Sequence, residues 1–361
     1  MDFKLGSRGM RKGIEVTVLI VNYNGLGVVE RCVRSVLSSS YSNLKVVVVD
    51  NNSSDGSLKV LKSFVNKHKN FSLTRLSENL GPAYARNFAM KKIKSKYVAF
   101  LDNDTLVKKD WLNEPIKRME EDSSIGSCQC KLLIAYDRKR FDYIGDYVSQ
   151  FGFLVQKCAT GEKDEGQYNR EFEILSAKSA GMVIRKEAFD KVGGFDDDYF
   201  IYVEETDLGW RLWLYGYRNV FTPHSVVYHE YGTTAKRLPK EQNYRVKFHG
   251  TKNYILTLLK CLSATSMIKI LPIHLFLWVS MAFWFLLNGN LRNFFYIMKA
   301  ILWNVAALGS MFKKRANIQK FRVISDKELF KKIMVTKDLS YFYNKLVSSP
   351  SLKGVKGYSK S

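Results

Sequence analysis

Four short runs of mostly apolar, β-branched residues recur along the first hundred positions: "IEVTVLIVNYN" (14–24), "NLKVVVVDNNSSDGS" (43–57), "NFSLTRLSEN" (70–79) and "KYVAFLDND" (96–104). Runs that stay apolar, instead of alternating with polar residues, read as strands buried on both faces. Between them, "GLGVVERCVRSVLSSS" (25–40), the stretch from Ser57 to Lys67 and "PAYARNFAMKKIKS" (82–95) carry apolar residues at helical spacing. Strand alternating with helix predicts a parallel, doubly wound α/β sheet covered on both sides. Such sheets bind ligands beyond the carboxyl ends of their strands.

The marked polar clusters fall at those ends: Asn22-Tyr23-Asn24, Asp50-Asn51-Asn52 and Asp102-Asn103-Asp104. One such cluster is commonly a turn or a helix cap; three on one sheet edge point to a site. Asp102 and Asp104 stand one residue apart, so an extended backbone aims both carboxylates the same way. They offer a hard oxygen site suited to Mg²⁺ or Mn²⁺, which would take its remaining oxygens from a diphosphate.

From 125 to 235 the pattern is less regular, with strand-like "SAGMVIR", helical "KEAFDKV", the turn "GGFDDD", helical "EETDLGWRLWLYG" and strand-like "RNVFTPHSVVYH". "YVEETDLGWRLW" places Glu204, Glu205 and Asp207 at a helix start. One of them suits a general base that takes a proton from a hydroxyl, and Glu205 is assigned that role with Glu204 as the alternative. Equally, Glu204 and Asp207 cap the helix and pair with Arg211. His229 ends the strand in "VVYHEYG"; on its own, such a histidine reads as a structural hydrogen-bonding group.

Charge divides the chain. Of the formal +23, the part from Ala235 onward carries +19, with 23 Lys and Arg against four acids. That same part holds "ILPIHLFLWVSMAFWFLL" (270–287), uncharged throughout, and "FFYIMKAILWNVAALGSMF" (294–312), with one lysine. The first run is near the minimum that spans a bilayer core of roughly 30 Å. The two, joined by "NGNLRN", predict a hydrophobic helical hairpin flanked by cytoplasmic, lipid-facing lysines. The expected organisation is a flexible basic N-terminus (1–13), a catalytic domain (14–235) and a membrane-associated helical region with a basic tail (236–361). The five cysteines form no CxxC pair, which fits reduced thiols in a reducing compartment. "MDFKLGSRGMRKG" leads into a run too short for an export core, so no signal peptide is expected.

"VLIVNYNG", "VVVVDNNSSDGS", "ENLGPAYARN", "FLDND", "SAGMVIRKEAFDKVGGFDDDYFIYVEETDLGWRL" and "VVYHEYG" follow one another in an order that resembles family 2 glycosyltransferases of the GT-A fold, over about residues 14–235. The branch with single-sugar, rhamnosyltransferase-like members looks most similar. The resemblance implies an inverting, metal-dependent hexosyltransferase. It would move one sugar from a nucleotide-diphosphate sugar donor to a glycan or lipid-linked acceptor at the cytoplasmic membrane face. By position it assigns Asp50 to the nucleotide base, with Asn22 and Asn24 lining the pocket. Gly81 and Asn87 would lie below the nucleotide and Arg86 would reach its phosphates. Asp102 and Asp104 match the metal site, His229 joins them, and Glu205 matches the catalytic base. Processive members carry Q-x-x-R-W; "QNYRV" (242–246) and "QKFRV" (319–323) both lack the tryptophan. Two other classes fit some features. A nucleotidyltransferase shares the sheet and the metal logic, and a non-enzymatic basic protein would use the tail to bind membranes or nucleic acid. No nucleic-acid motif accompanies the tail, so a nucleic-acid partner is not expected.

Overall fold

The computed structural model describes residues 14–230 and 240–342, with the side chains of 240–245 undescribed. The basic N-terminus 1–13, the boundary at 235, the side chains of most of "QNYRV" and the end of the basic tail therefore lie outside the described residues.

β1 (Val16–Asn22), β2 (Leu44–Asp50), β3 (Phe71–Arg75) and β4 (Tyr97–Asp102) run parallel, with β1 between β2 and β4. Both faces are covered, as the unbroken apolar runs require. Val16, Val18 and Ile20 pack into one core with α1 (Val29–Leu37) and α2 (Ser57–Val65), while Leu19 points into another with α3 (Pro82–Met90).

The second half makes the sheet mixed. It contributes β5 (Thr105–Val107), α4 (Asn113–Glu121), β6 (Ile125–Ile134), β7 (Asp137–Tyr143), β8 (Asp146–Ser149), β9 (Leu154–Gln156), β10 (Phe172–Glu173), β11 (Met182–Arg185), α5 (Lys186–Lys191), α6 (Glu204–Leu214) and β12 (Arg218–His229). The strand order is β10-β12-β6-β11-β4-β1-β2-β3. β11 enters antiparallel between β4 and β6, and β12 lies parallel to β6. β5 folds back onto the end of β12, setting His229 opposite Thr105. That pairing joins the end of β12 to the turn after β4.

The C-terminal helices are α7 (Lys240–Cys261), α8 (Ala264–Leu287), α9 (Leu291–Ala306), α10 (Leu308–Lys320) and α11 (Asp326–Ile333). The final strand β13 (Met334–Val335) pairs with β8 in a small second sheet. The strand at the end of the helical region is thus tied to the α/β half. The apolar run 270–287 lies within α8, which is long and apolar enough to cross a membrane. The run 294–312 is not one hairpin arm: it is divided between α9 and α10, which bend by 67° at Ala307. The bend lets both helices pack on α7, where Asn304 of α9 donates to the Lys252 carbonyl (3.2 Å) and Arg315 of α10 donates to the Leu259 carbonyl (2.6 Å). In "QKFRV", Gln319 donates to the Lys260 carbonyl (2.9 Å) and Arg322 to that of Cys261, satisfying the open carbonyls at the end of α7.

α8 is apolar on both sides. Ile270, His274, Trp278, Ala282 and Phe285 are buried, and the His274 ring packs at a tilt against Phe153, ring centroids 4.2 Å apart. The opposite side exposes Ile268, Ile273, Phe276, Phe283 and Leu287, continued by Leu291, Phe295, Leu302 and Val305 of α9.

Candidate active site

Asp102 is the last residue of β4, and the chain turns there so that Asp104 faces the end of β12. His229 Nε2 lies 3.3 Å from Asp104 Oδ1, and one ligating atom from each of Asp102, Asp104 and His229 falls within 4.8 Å of the others. Among the described residues no other group of three His, Cys, Asp or Glu side chains meets in this way. The far side of the imidazole is held by Asp142 Oδ2, 2.6 Å from Nδ1. A carboxylate behind a ligating histidine fixes the ring's orientation and tautomer. Burial disfavours the charged imidazole, but the hydrogen bonds to Asp104 and Asp142 outweigh it and hold His229 up to about 10. For Asp102, burial and the neighbouring carboxylates of Asp104 and Glu205 push the carboxyl up, while Arg86 opposes them. Two carboxylate ligands and one oriented imidazole fit a hard divalent cation.

The second acidic group reaches the same place through Arg86. Its guanidinium is 4% exposed, donates to Asp102 Oδ1 (3.0 Å) and Glu204 Oε1 (3.3 Å), and lies over the Phe195 ring. Glu204 is buried, and its other oxygen has no hydrogen-bond partner. Burial, then the charge of Glu205, raises its carboxyl to about 8 against the pull of Arg86. Glu205 is half-buried and accepts from the backbone N–H (3.1 Å) and hydroxyl of Ser179, on the loop before β11. The expected pairing with Arg211 holds for Asp207 (2.6 Å) but not for Glu204. Helical spacing allows the first; Glu204 points from the opposite side of the helix start, toward β4.

The residues expected around the nucleotide are arranged differently. Asn22 and Asp50 are fully buried and bonded to one another (2.8 Å); Asn22 also donates to Ser53 and Ser57, and Asp50 accepts from the Ser53 backbone N–H (3.0 Å). Asn103, inside the D-x-D, donates to the side-chain Oδ1 of Asn22 (2.9 Å), so the β1 and β4 ends are bonded together. Asn24, in the left-handed region at φ 49°, accepts from the Ser54 N–H (2.9 Å). Gly81 starts α3 at φ 87° with the Phe200 carbonyl so near that an added Cβ would lie 2.3 Å from it. Asn87 spends its amide on the Phe195 backbone and Asp197, on the "GGFDDD" turn, and so supports that turn instead of facing the carboxylates.

Asp142 and Ser179 were not foreseen as members of the site. Asp142 sits in an irregular hairpin strand without periodic signal, and Ser179 is chemically unremarkable until the fold sets it against Glu205.

Residues 17–193 match the family model described as Glycosyl transferase family 2. Over 127 residues the chain is 35% identical to the "Putative teichuronic acid biosynthesis glycosyltransferase TuaG" of Bacillus subtilis, covering 35% of this chain and 50% of that protein. It is 24% identical over 209 residues to the "Poly-beta-1,6-N-acetyl-D-glucosamine synthase" of Staphylococcus aureus, covering 58% and 48%. The chain thus spans about half the length of these curated relatives. Among solved structures, GalNAc-T7 with UDP, GalNAc and Mn²⁺ superposes with a TM-score of 0.54 at 17% identity, covering 82% of this chain and 58% of that one. A Pyrobaculum calidifontis mannosyltransferase in complex with GDP-Man and Mn²⁺ gives 0.51 at 17% identity, covering 88% of each. The fold is GT-A.

Proposed function

We propose that this chain, whose residues 17–193 carry the family 2 glycosyl transferase match on a GT-A fold, is an inverting, metal-dependent hexosyltransferase. It would transfer one sugar from a nucleotide-diphosphate donor to a glycan or lipid-linked hydroxyl at the cytoplasmic face of a membrane. The observation that carries this reading is the meeting of Asp102, Asp104 and His229 within 4.8 Å, tied through Arg86 to the helix start that bears Glu205.

A cation held by Asp102, Asp104 and His229, Mg²⁺ or Mn²⁺, would neutralise the leaving diphosphate. The residues supply the rest. Asp142 keeps the imidazole turned toward the aspartates, and Arg86 keeps Asp102 in register with α6. Glu205 is the base: it is half-buried, and Ser179 aims its carboxylate. Glu204 is buried and engaged by Arg86, which suits support better than proton transfer. Glu205 takes the acceptor hydroxyl's proton; the alkoxide oxygen bonds to the anomeric carbon opposite the diphosphate, whose bond to that carbon breaks with both electrons. The sugar is thereby joined to the acceptor oxygen with inverted configuration, and the diphosphate leaves. The donor pocket is assigned to Asn22, Asn24, Asp50, Gly81 and Asn87 around the β1, β2 and α3 ends.

Membrane contact is supported by the apolar side of α8 and α9 and by the absence of any Asp or Glu between Ala264 and Lys320, a stretch that includes Lys269, Arg292, Lys299 and Lys313. Because α8 is docked on Phe151 and Phe153 through His274, lying in the interface fits better than spanning. Single-sugar transfer, as in the rhamnosyltransferase-like branch, is supported by Gln319 and Arg322 being committed to the end of α7.

The test is a screen of nucleotide sugars with the purified chain in Mg²⁺ and Mn²⁺, following release of nucleotide. Slow metal-dependent donor hydrolysis, lost in Asp104→Ala, and acceptor transfer lost in Glu205→Gln are expected. Release of pyrophosphate would instead identify a nucleotidyltransferase, and full transfer by Glu205→Gln would remove the base assignment.

A further inference from the structure

The segment that leads into α6 is held in an unfavourable backbone conformation by side chains of α7. Tyr202 and Val203, just before Glu204, have φ of 69° and 68°. This left-handed region suits glycine and is rare for a β-branched residue. Such strain persists only where surroundings impose it. The imposing group is Asn253 of α7. Its fully buried amide donates to the Ile201 carbonyl (3.0 Å) and the Tyr202 carbonyl (2.7 Å), which belong to the peptide bonds on either side of Tyr202.

The same face of α7 grips the segment at three further points. Lys252 donates to the Asp198 carbonyl, Thr257 shares a hydrogen bond with the Tyr199 hydroxyl (2.7 Å), and Lys260 reaches both Asp196 (2.5 Å) and Asp207 (2.7 Å). All four α7 side chains are buried. The Phe200 carbonyl, in the middle of the gripped segment, is the atom that crowds Gly81 at the start of α3. Movement of this segment would therefore shift the start of α6 and the floor of the assigned donor pocket together.

We propose that α7 is a splint that sets Glu205, with Asn253 its principal positioning residue. The inference rests on the glycosyltransfer reading. Asn253 touches no reacting atom. It forces the left-handed pair 202–203, and that pair fixes the direction in which α6 presents its first two glutamates.

The experiment uses the full chain with Asn253→Ala, Asn253→Ala/Val203→Gly and Tyr199→Phe. Alanine suits a helix interior, and Tyr199→Phe removes a separate grip while keeping the ring, so a folding failure of one variant leaves the other informative. Two readouts are taken: steady-state turnover of whichever UDP- or GDP-sugar the wild type hydrolyses, and amide hydrogen exchange of residues 199–206 against 97–104. For Asn253→Ala, kcat should fall by about 10-fold or more, the scale expected when a reacting group is misplaced, and donor KM should rise with the displaced pocket floor. Exchange should rise in 199–206 only. Glycine accepts positive φ without a side-chain penalty, so adding Val203→Gly should recover most of the lost rate, which loss of mere packing would not allow. Unchanged kcat and exchange, or a loss that Val203→Gly leaves untouched, overturns the assignment. A wild type inactive on every donor would count against the proposed reaction, and the exchange readout would still decide the role of Asn253.

Discussion

Lys260→Met tests whether buried charge, and not apolar packing alone, fastens α7 to the α/β half. The Lys260 ammonium is 1% exposed and lies 2.5 Å from Asp196 and 2.7 Å from Asp207, which are themselves 9% and 0% exposed. Methionine approximates the length of the stem and removes the charge. Breaking a buried ion pair by removing one partner costs about 3–5 kcal/mol. Asp207 keeps Arg211 at 2.6 Å and Asp196 keeps Lys314 at 2.5 Å, so the lower end, about 3 kcal/mol, is expected. At about 2 °C per kcal/mol for a chain of this size, Tm should fall by roughly 6 °C. Thermal unfolding in mild detergent, followed by far-UV circular dichroism, reads this directly. The pH dependence adds a second check. Burial alone would raise the Asp196 carboxyl, but Lys260 and Lys314 outweigh it and hold it well below the ordinary carboxylate range. Its folded pKa is depressed, so its contribution is complete above the unfolded value of about 3.9 and disappears as pH falls below it. The gap between wild type and Lys260→Met should therefore narrow below about pH 4. A loss under about 1 kcal/mol at pH 7, or a gap that widens in acid, would refute the electrostatic account.

Asp142→Asn should weaken Mn²⁺ binding by about 10–100-fold, the usual effect of removing a carboxylate behind a ligating histidine, as measured by calorimetric titration; unchanged affinity would mean that His229 needs no orienting. Phe276→Glu/Phe283→Glu/Leu302→Glu should abolish flotation with vesicles containing anionic lipid while leaving metal binding intact, and a variant that still floats would move the membrane contact elsewhere. Cys32, Cys128, Cys130, Cys158 and Cys261 are all buried and free, with burial pushing the Cys32 thiol up to about 12. Intact-mass labelling with iodoacetamide at pH 8 should add nothing to the native chain and five groups after denaturation; native labelling would show that a core opens readily.

Much of the scaffold is readable from residue order because two-sided burial leaves a local mark. Val16, Val18 and Ile20 feed one core while Leu19 feeds the other, so the first strand had to be apolar throughout. The D-x-D at the end of β4 is visible for a similar reason, since an apolar strand seldom ends in two acids without a task. Pairing over long separations leaves no such mark. Arg86 and Glu204 lie 118 positions apart, and only the insertion of antiparallel β11 between β4 and β6 brings α6 to the β4 end. Helical spacing correctly joins Asp207 to Arg211, yet says nothing of which way Glu204 turns. The break between α9 and α10 was equally hidden, because an apolar run records burial and not direction. Asn253 belongs to the same class: an asparagine in a helix becomes informative only once the Ile201 and Tyr202 carbonyls are seen beneath it.

The central claim is that Asp102, Asp104 and His229 form one cation site facing Glu205. Titration of Mn²⁺ into the full chain, monitored by electron paramagnetic resonance, tests it most directly. One bound ion per chain is predicted, its affinity raised by UDP or GDP, lost in Asp104→Ala and retained in Glu205→Gln. Binding that survives Asp104→Ala, or a wild type that takes up no Mn²⁺ with either nucleotide present, would contradict it.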